Sequence, residues 1–264
     1  MNIVVCIKQV PETGNVRMDE ETGTMVREGV ESIVNPLDLY AIEAAIRLKQ
    51  EHDGRITVVS MGPPSAEKAV REAISMGCEA GVLVTGREFA GSDTHATSYC
   101  ISRAVQKLSP CDLVLMGVRA TDGETGQVGP GVAAFLGMPL CTYASRIGPV
   151  DGESITIERL VETGYETLRL PFPCVVTVGK EIGHPRLSTL RGKQRARRAE
   201  VLTWGADDLG VEPDLLGLKG SPTRVVKIAR PKVNRSGRML DVARLGAHEA
   251  ARQLVDFLEE KDLL

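Results

Sequence analysis

The segment DLVLMGVRATDGETGQVGPGVAAFL, residues 112–136, decides the fold. Its first part, Leu113 to Gly117, is a continuously apolar run of strand length, which suits a strand buried on both faces. A loop punctuated by Gly117, Gly123, Gly126 and Gly129 follows, and a helical pattern runs over 129–136. Strand, glycine-rich loop and helix in that order form half of a βαβ unit.

The same alternation extends outward in both directions. Apolar, β-branched runs at 3–7, 56–60, 82–85 and 174–178 predict four more buried strands. Helical patterns lie between them at 35–50, 65–76 and 94–108. In the first, Leu39, Ile42, Ala45, Ile46 and Lys49 recur at three- and four-residue spacing, with Asn35 as candidate N-cap and Pro36 in the first turn. Alternating strands and helices predict an α/β fold with a doubly wound, mainly parallel sheet. The runs at 155–161 and 166–170 flank Glu162-Thr163-Gly164-Tyr165 and alternate, which predicts an appended antiparallel hairpin. After Trp204 the pattern loosens into a Gly-, Pro-, Asp- and Ser-rich arm, strand-like only at 223–228, that ends in a helix over 243–258. That helix carries Ala247, Ala250, Ala251, Leu254, Val255 and Leu258 on one stripe. The stripe calls for a cover, either the chain's own domain or a partner. The expected domains are therefore 1–204, an α/β nucleotide-binding domain, and 205–264, an arm with its helix.

Composition narrows the function. Aromatic residues make up 3% of the chain and the net charge is −3, which argues against base-stacking platforms and dedicated nucleic-acid binding. The six cysteines, Cys6, Cys78, Cys100, Cys111, Cys141 and Cys174, have no close pairs, so they read as reduced, buried small hydrophobes rather than metal ligands or disulfides. No apolar run approaches the ~18 residues of a membrane span, and no basic leader precedes the first strand. A cytoplasmic location is expected.

Ligands of open parallel sheets bind beyond the carboxyl ends of the strands, where chain direction switches sides. The loop at 117–130 offers backbone N–H groups of Thr125, Gly126, Gln127, Val128 and Gly129 at a helix start, a cradle for phosphate, although a merely structural Gly-rich turn stays open. It is neither a P-loop nor a Gly-x-Gly-x-x-Gly turn. The excursion from Pro11 to Val34 is a long polar loop, and Asn35 and Asp38 behind it read as helix caps or as ligand contacts. The basic run at 186–198 reads as a solvated loop, a nucleic-acid contact, or a docking loop with Leu190 as apolar anchor. No Ser/His/Asp set or carboxylate pair is legible, so any catalysis must be carried by a bound cofactor.

These segments together resemble one family. MNIVVCIKQVP at the start, Val-Asn-Pro-Leu-Asp with Ala-Ile-Glu-Ala-Ala, Val-Ser-Met-Gly-Pro, Asp-Leu-Val-Leu-Met-Gly with its loop, Glu-Thr-Gly-Tyr-Glu and Pro-Cys-Val-Val-Thr are similar, in order and spacing, to electron-transfer flavoprotein β-subunits over nearly the whole chain. The resemblance implies that Cys6, Asn35, Pro36, Leu37, Asp38, Met61, Gly117, Arg119, Ala120, Thr121, Asp122, Gly123, Thr125, Gly126, Gln127 and Val128 surround an adenine nucleotide. That nucleotide is AMP in ordinary members and FAD in electron-bifurcating ones, whose loop typically reads Asp-Gly-Asp-Thr-Ala-Gln-Val-Gly-Pro. Here Glu124 and Gly126 replace the second Asp and the Ala, and the loop resembles the bifurcating form.

The implied activity follows from the family. NADH gives hydride to the FAD of this subunit; one electron passes to the FAD of an obligate α-subunit, towards an acyl-CoA dehydrogenase-like flavoenzyme, and the other to ferredoxin or flavodoxin. Leu190 falls at the family's anchor leucine, and Arg191, Lys193 and Arg195 surround it in the partner-docking loop. The arm and last helix resemble the family's embrace of the α-subunit. The rivals are a non-bifurcating β-subunit with structural AMP, a stand-alone adenine-nucleotide-binding protein, and an RNA-binding protein that uses the arginine run.

Overall fold

The structure, a computed structural model, describes residues 1–12, 31–226 and 239–264, with the backbone of 17–18 and 25–26. The chain divides into two compact units, Met1–Lys227 and Ile228–Leu264.

In the first unit β1 (Asn2–Ile7), β2 (Arg55–Met61), β3 (Ala80–Val84), β4 (Leu113–Gly117), β5 (Leu140–Val150), β6 (Ser154–Val161), β7 (Gly164–Pro171), β8 (Cys174–Val178) and β9 (Val201–Trp204) form one nine-stranded sheet. Their order is β7-β6-β5-β8-β4-β1-β2-β3-β9. Every pairing is parallel except β5 with β6 and β6 with β7. The predicted α/β class and hairpin are thus observed. Helices α1 (Pro36–His52), α2 (Glu67–Met76) and α5 (Leu190–Arg198) cover one face, where Ile42, Ile74 and Ala196 pack with Ile3, Ile56 and Val58. Helices α3 (Thr94–Lys107) and α4 (Val128–Leu136) cover the other, where Cys100, Ile101 and Val132 meet Val4, Val59 and Val114. With both faces covered, β1 and β4 need apolar side chains at nearly every position, which is why they stood out in the sequence. Five of the six cysteines are buried and all are free thiols.

The sheet departs from expectation at both edges. β5 and β9 are not legible in the sequence: β9 is four residues long, and β5 has three register shifts against its neighbours that break its alternation. Residues 205–226, expected to open the arm, place Leu209, Val211 and Leu216 in the α3/α4 core. Thr223–Val226 has no regular structure, and 227–228 lie outside the described residues. Of the long excursion after β1, Gln9–Pro11 pairs antiparallel with Ser32–Val34, continued by the Glu12 N–H on Glu31 O, and Arg17–Met18 pairs with Met25–Val26; 13–16, 19–24 and 27–30 lie outside the described residues. In the second unit the last helix is broken at Gly246, φ 81°, into Val242–Leu245 and α6 (Ala247–Glu260). Leu254 and Val255 of its stripe are exposed.

The basic run is a loop only up to Thr189; from Leu190 on it is helix α5. Thr189 caps α5 by accepting the Gly192 N–H at 3.0 Å, and Leu, Lys, Gln, Ala and Arg are good helix formers. Helices α2 and α5 then serve each other's ends. The Arg71 guanidinium donates to the carbonyls of Ala196 and Ala199 at 2.5 and 3.1 Å, and Arg195 donates to Ile74 O at 2.5 Å. Their contact requires glycine: a Cβ on Gly192 would stand 2.0 Å from Ser75 O. Ordinarily Gly→Ala inside a helix stabilises by about 1 kcal/mol. Here Gly192→Ala is expected to destabilise by about 1–3 kcal/mol, because a backbone carbonyl cannot yield as a side chain does. Urea unfolding checks the sign, and a stabilised variant would contradict the packing.

Candidate functional site

β1 and β4 lie side by side, yet the chain leaves β1 towards α1 on one face and leaves β4 towards α4 on the other. Their carboxyl ends therefore splay apart and open a crevice. Three segments meet there, and polar side chains with few alternatives hold them.

Asn35 is buried, 1% exposed, and its side chain does not cap α1. It spans the crevice instead. Its Nδ2 donates to Arg119 O at 2.9 Å and its Oδ1 accepts the Thr121 N–H at 3.2 Å, so one amide fixes the loop on both sides of Ala120. Its own N–H donates to Lys8 O at 2.8 Å. Asp38, also buried, accepts the Lys8 N–H at 2.7 Å. Burial, the largest influence, pushes the Asp38 carboxyl up to about 7, while hydrogen bonding with Asn35, Lys8 and Gly117 pulls it down. Gly117 must lack a side chain, since a Cβ there would lie 2.4 Å from Asp38 Oδ1 and 2.8 Å from the Leu37 carbonyl carbon. Lys8 completes the clamp: its ammonium binds Asp122 at 2.7–2.8 Å. That ion pair offsets the Asp122 carboxylate, and it makes Lys8 part of the crevice.

Beyond Thr121 the loop curls. Glu124 donates its N–H to Ala120 O at 2.8 Å, and both Glu124, φ 51°, and Gly126, φ 64°, are left-handed. Gly126 is followed by Gln127 in the right-handed region, the alternation that gathers successive N–H groups into a concavity suited to an anion. Among the described residues, the N–H groups of Thr125, Gly126, Val128 and Gly129 meet no protein acceptor. They stand at the positive end of α4. Gly129 and Gly131 seat that helix end tightly, each with a Cβ position 2.3 Å from a neighbour, Thr177 Cγ2 and Ser98 Oγ respectively.

The remaining sequence-derived residues are placed as follows. The Cys6 thiol is buried with Val59 and Met116, and burial raises its pKa, so it is inert. Met61 is half-buried at the end of β2, Pro36 is exposed in the first turn of α1, and Asp122 and Gly123 lie at the loop surface. On α5, Leu190 is 82% exposed and Arg191 and Lys193 are exposed, whereas Arg195 is committed to α2. A cavity of about 260 Å³ lies beside them, lined by Ser75, Met76, Gly77, Thr189, Arg191, Gly192 and Arg195.

One residue near the cradle gave no sequence signal. Between Val176 and Val178 of β8, β5 inserts both Thr142 and Tyr143, and Tyr143 sits in the bulge at φ 56°. A bulky residue there costs about 1–2 kcal/mol relative to the extended form.

An aspartate whose folded pKa lies above its unfolded value contributes stability in full below that value, 3.8, and loses it as pH climbs through about 7. The Asp38→Asn chain keeps an acceptor for the Lys8 N–H and stays neutral. Its Tm is expected to gain on wild type between about pH 4 and pH 7 and to hold that gain above, at ~2–4 °C for each kcal/mol. A Tm difference constant across that range would contradict a titrating Asp38.

Comparison with known proteins places the chain in a family. The family model described as Electron transfer flavoprotein domain matches residues 22–209. The chain is 43% identical to the electron transfer flavoprotein subunit beta of Thermoanaerobacterium thermosaccharolyticum, with 100% of both chains covered. It is 44% identical to the same subunit of Clostridium acetobutylicum, with 99% of each covered. It is also 40% identical, over 100% of both chains, to the caffeyl-CoA reductase-Etf complex subunit CarD of Acetobacterium woodii. Matched over most of its length by the family model and over its whole length by these relatives, the chain belongs to the electron transfer flavoprotein family, as a β-subunit.

Proposed function

We propose that this β-subunit holds a complete FAD in the crevice between β1 and β4, its diphosphate on the unpaired amides of Thr125, Gly126, Val128 and Gly129. Those convergent donors carry the reading, because a diphosphate fills several of them at once and the α4 dipole favours its charge. The residues present fit the group. Asn35 sets the width of the crevice, the ammonium of Lys8 offsets the carboxylate of Asp122, and Gly126 supplies the left-handed turn at the loop tip. The adenosine end belongs beside Cys6, Asn35, Pro36, Leu37, Asp38 and Met61, where the apolar strand ends exclude water.

Bound there, FAD would accept a hydride from NADH and return its two electrons singly, one to the FAD of the α-subunit towards an acyl-CoA dehydrogenase-like flavoenzyme, the other to ferredoxin or flavodoxin. The chain's own residues bind and orient; among the described residues none offers a nucleophile or acid–base pair at the crevice. CarD, a relative alike over its full length, is named as part of a reductase complex, which supports a reductase-type partner here. The exposed Leu190 with Arg191 and Lys193 suits an apolar pocket rimmed by acidic groups on that partner. The unit from Ile228 onward, with its exposed Leu254 and Val255, is assigned to the α-subunit.

The test is the nucleotide content of the chain purified with its α-subunit. Acid extraction and chromatography are expected to give two FAD per heterodimer. One FAD with one AMP would leave the β-subunit redox-inert and overturn the proposal. A Gly126→Ala change, which forces a Cβ into the left-handed turn, is expected to lower occupancy of this site at least ~5-fold without loss of the α-subunit flavin.

A further inference from the structure

The side chain of Tyr143 is unexplained by the fold. Nearly half of it is exposed, at 48%, yet its backbone is held in the left-handed region within a strand, a conformation that normally selects glycine. Nothing in the core gains from the residue there. The bulge sets its backbone close to the amide cradle. The Tyr143 N–H donates to Thr177 Oγ1 at 3.3 Å, and Thr177 Cγ2 is the atom against which the backbone of Gly129 is seated. Tyr143 is thus one residue removed from the amino end of α4, on the side of the cradle away from β1.

A mononucleotide with its base between β1 and β4 ends at its phosphate, on the cradle. A dinucleotide continues past the phosphates and carries a second planar ring system beyond them. An exposed phenol on the far flank of the cradle offers that ring an aromatic face at little entropic expense, since its backbone is already fixed. Strained backbone and bulges gather at binding sites for this reason.

We propose that Tyr143 is a specificity-determining residue of the nucleotide site, its ring packing on the flavin ring system and thereby favouring FAD over AMP. The proposal rests on the reading that the Thr125–Gly129 amides hold the phosphates. It assigns a role to Tyr143 that the cradle alone does not require, because phosphate binding is the same for both nucleotides.

The experiment is calorimetric titration of the full-length chain and of its Tyr143→Phe and Tyr143→Gly variants with FAD and, separately, with AMP. Glycine suits the observed φ, so removing the ring does not endanger the fold. Tyr143→Gly is expected to weaken FAD binding at least ~5-fold, the lower end for loss of one stacked aromatic, with AMP binding unchanged. Tyr143→Phe is expected to keep wild-type affinity for both. The fluorescence of bound flavin is expected to rise in the Gly variant, because the quenching phenol is gone. Unchanged FAD affinity in Tyr143→Gly overturns the proposal, as does an equal loss for both nucleotides, which would mark an effect on the cradle itself. Weaker association with the α-subunit at an unchanged FAD-to-AMP ratio also overturns it, since the ring would then face the partner. Wild type that takes up AMP while the Gly variant matches it on FAD sinks this assignment alone; wild type that takes up neither nucleotide sinks the cradle with it.

Discussion

One buried amide organises the site. Asn35 binds Arg119 O and the Thr121 N–H across the crevice, and an amide buried without such partners costs about 1–3 kcal/mol. The start of α1 and the loop after β4 therefore cannot move apart independently. The same residue accepts no role as a helix cap, so its burial is spent entirely on the crevice. Lys8 belongs to the same unit: its main chain is gripped by Asn35 and Asp38 and its side chain by Asp122. Strand, helix and loop form a stiff base, while Thr125 to Gly129 carries the four amides that meet no acceptor among the described residues.

The frame was legible in the sequence because the parallel sheet is covered on both faces. Continuous runs such as Ile3 to Ile7 and Leu113 to Gly117 follow from that burial, and the glycine-rich loop at 117–130 declared itself by composition. What stayed hidden depends on tertiary partners. β9 is too short to show a period and is a strand only because β3 offers it an edge. β5 loses its alternation at bulges, which conceal Tyr143 as well as the strand. The arginine run was read as a loop because its helical pattern is almost wholly polar; α2 supplies the carbonyls that make it a helix end. Asn35 and Asp38 were singled out, but their spacing before an apolar stripe resembles an ordinary cap, and only the fold shows the loop that they face.

Costly features gather around the crevice. A carboxyl pushed up by burial at Asp38, two of the four left-handed non-glycine residues among those described, Glu124 and Tyr143, and amides at the α4 start that meet no acceptor among the described residues lie near the crevice. Elsewhere in the unit Asp53, φ 49°, is the other left-handed non-glycine residue among those described, and Ser60 Oγ is buried without a hydrogen-bond partner among the described residues. Strained backbone and amides left without acceptors are features that binding sites share, and the crevice has both.

The most direct measurement is amide hydrogen exchange over residues 117–131 in the heterodimer, with and without added FAD. If the cradle grips the diphosphate, exchange at Thr125, Gly126, Val128 and Gly129 slows on loading while the Asn35-clamped amide of Thr121 is already slow in both states. Equal exchange at those four amides with FAD bound would place the phosphates elsewhere and contradict the assignment of the site.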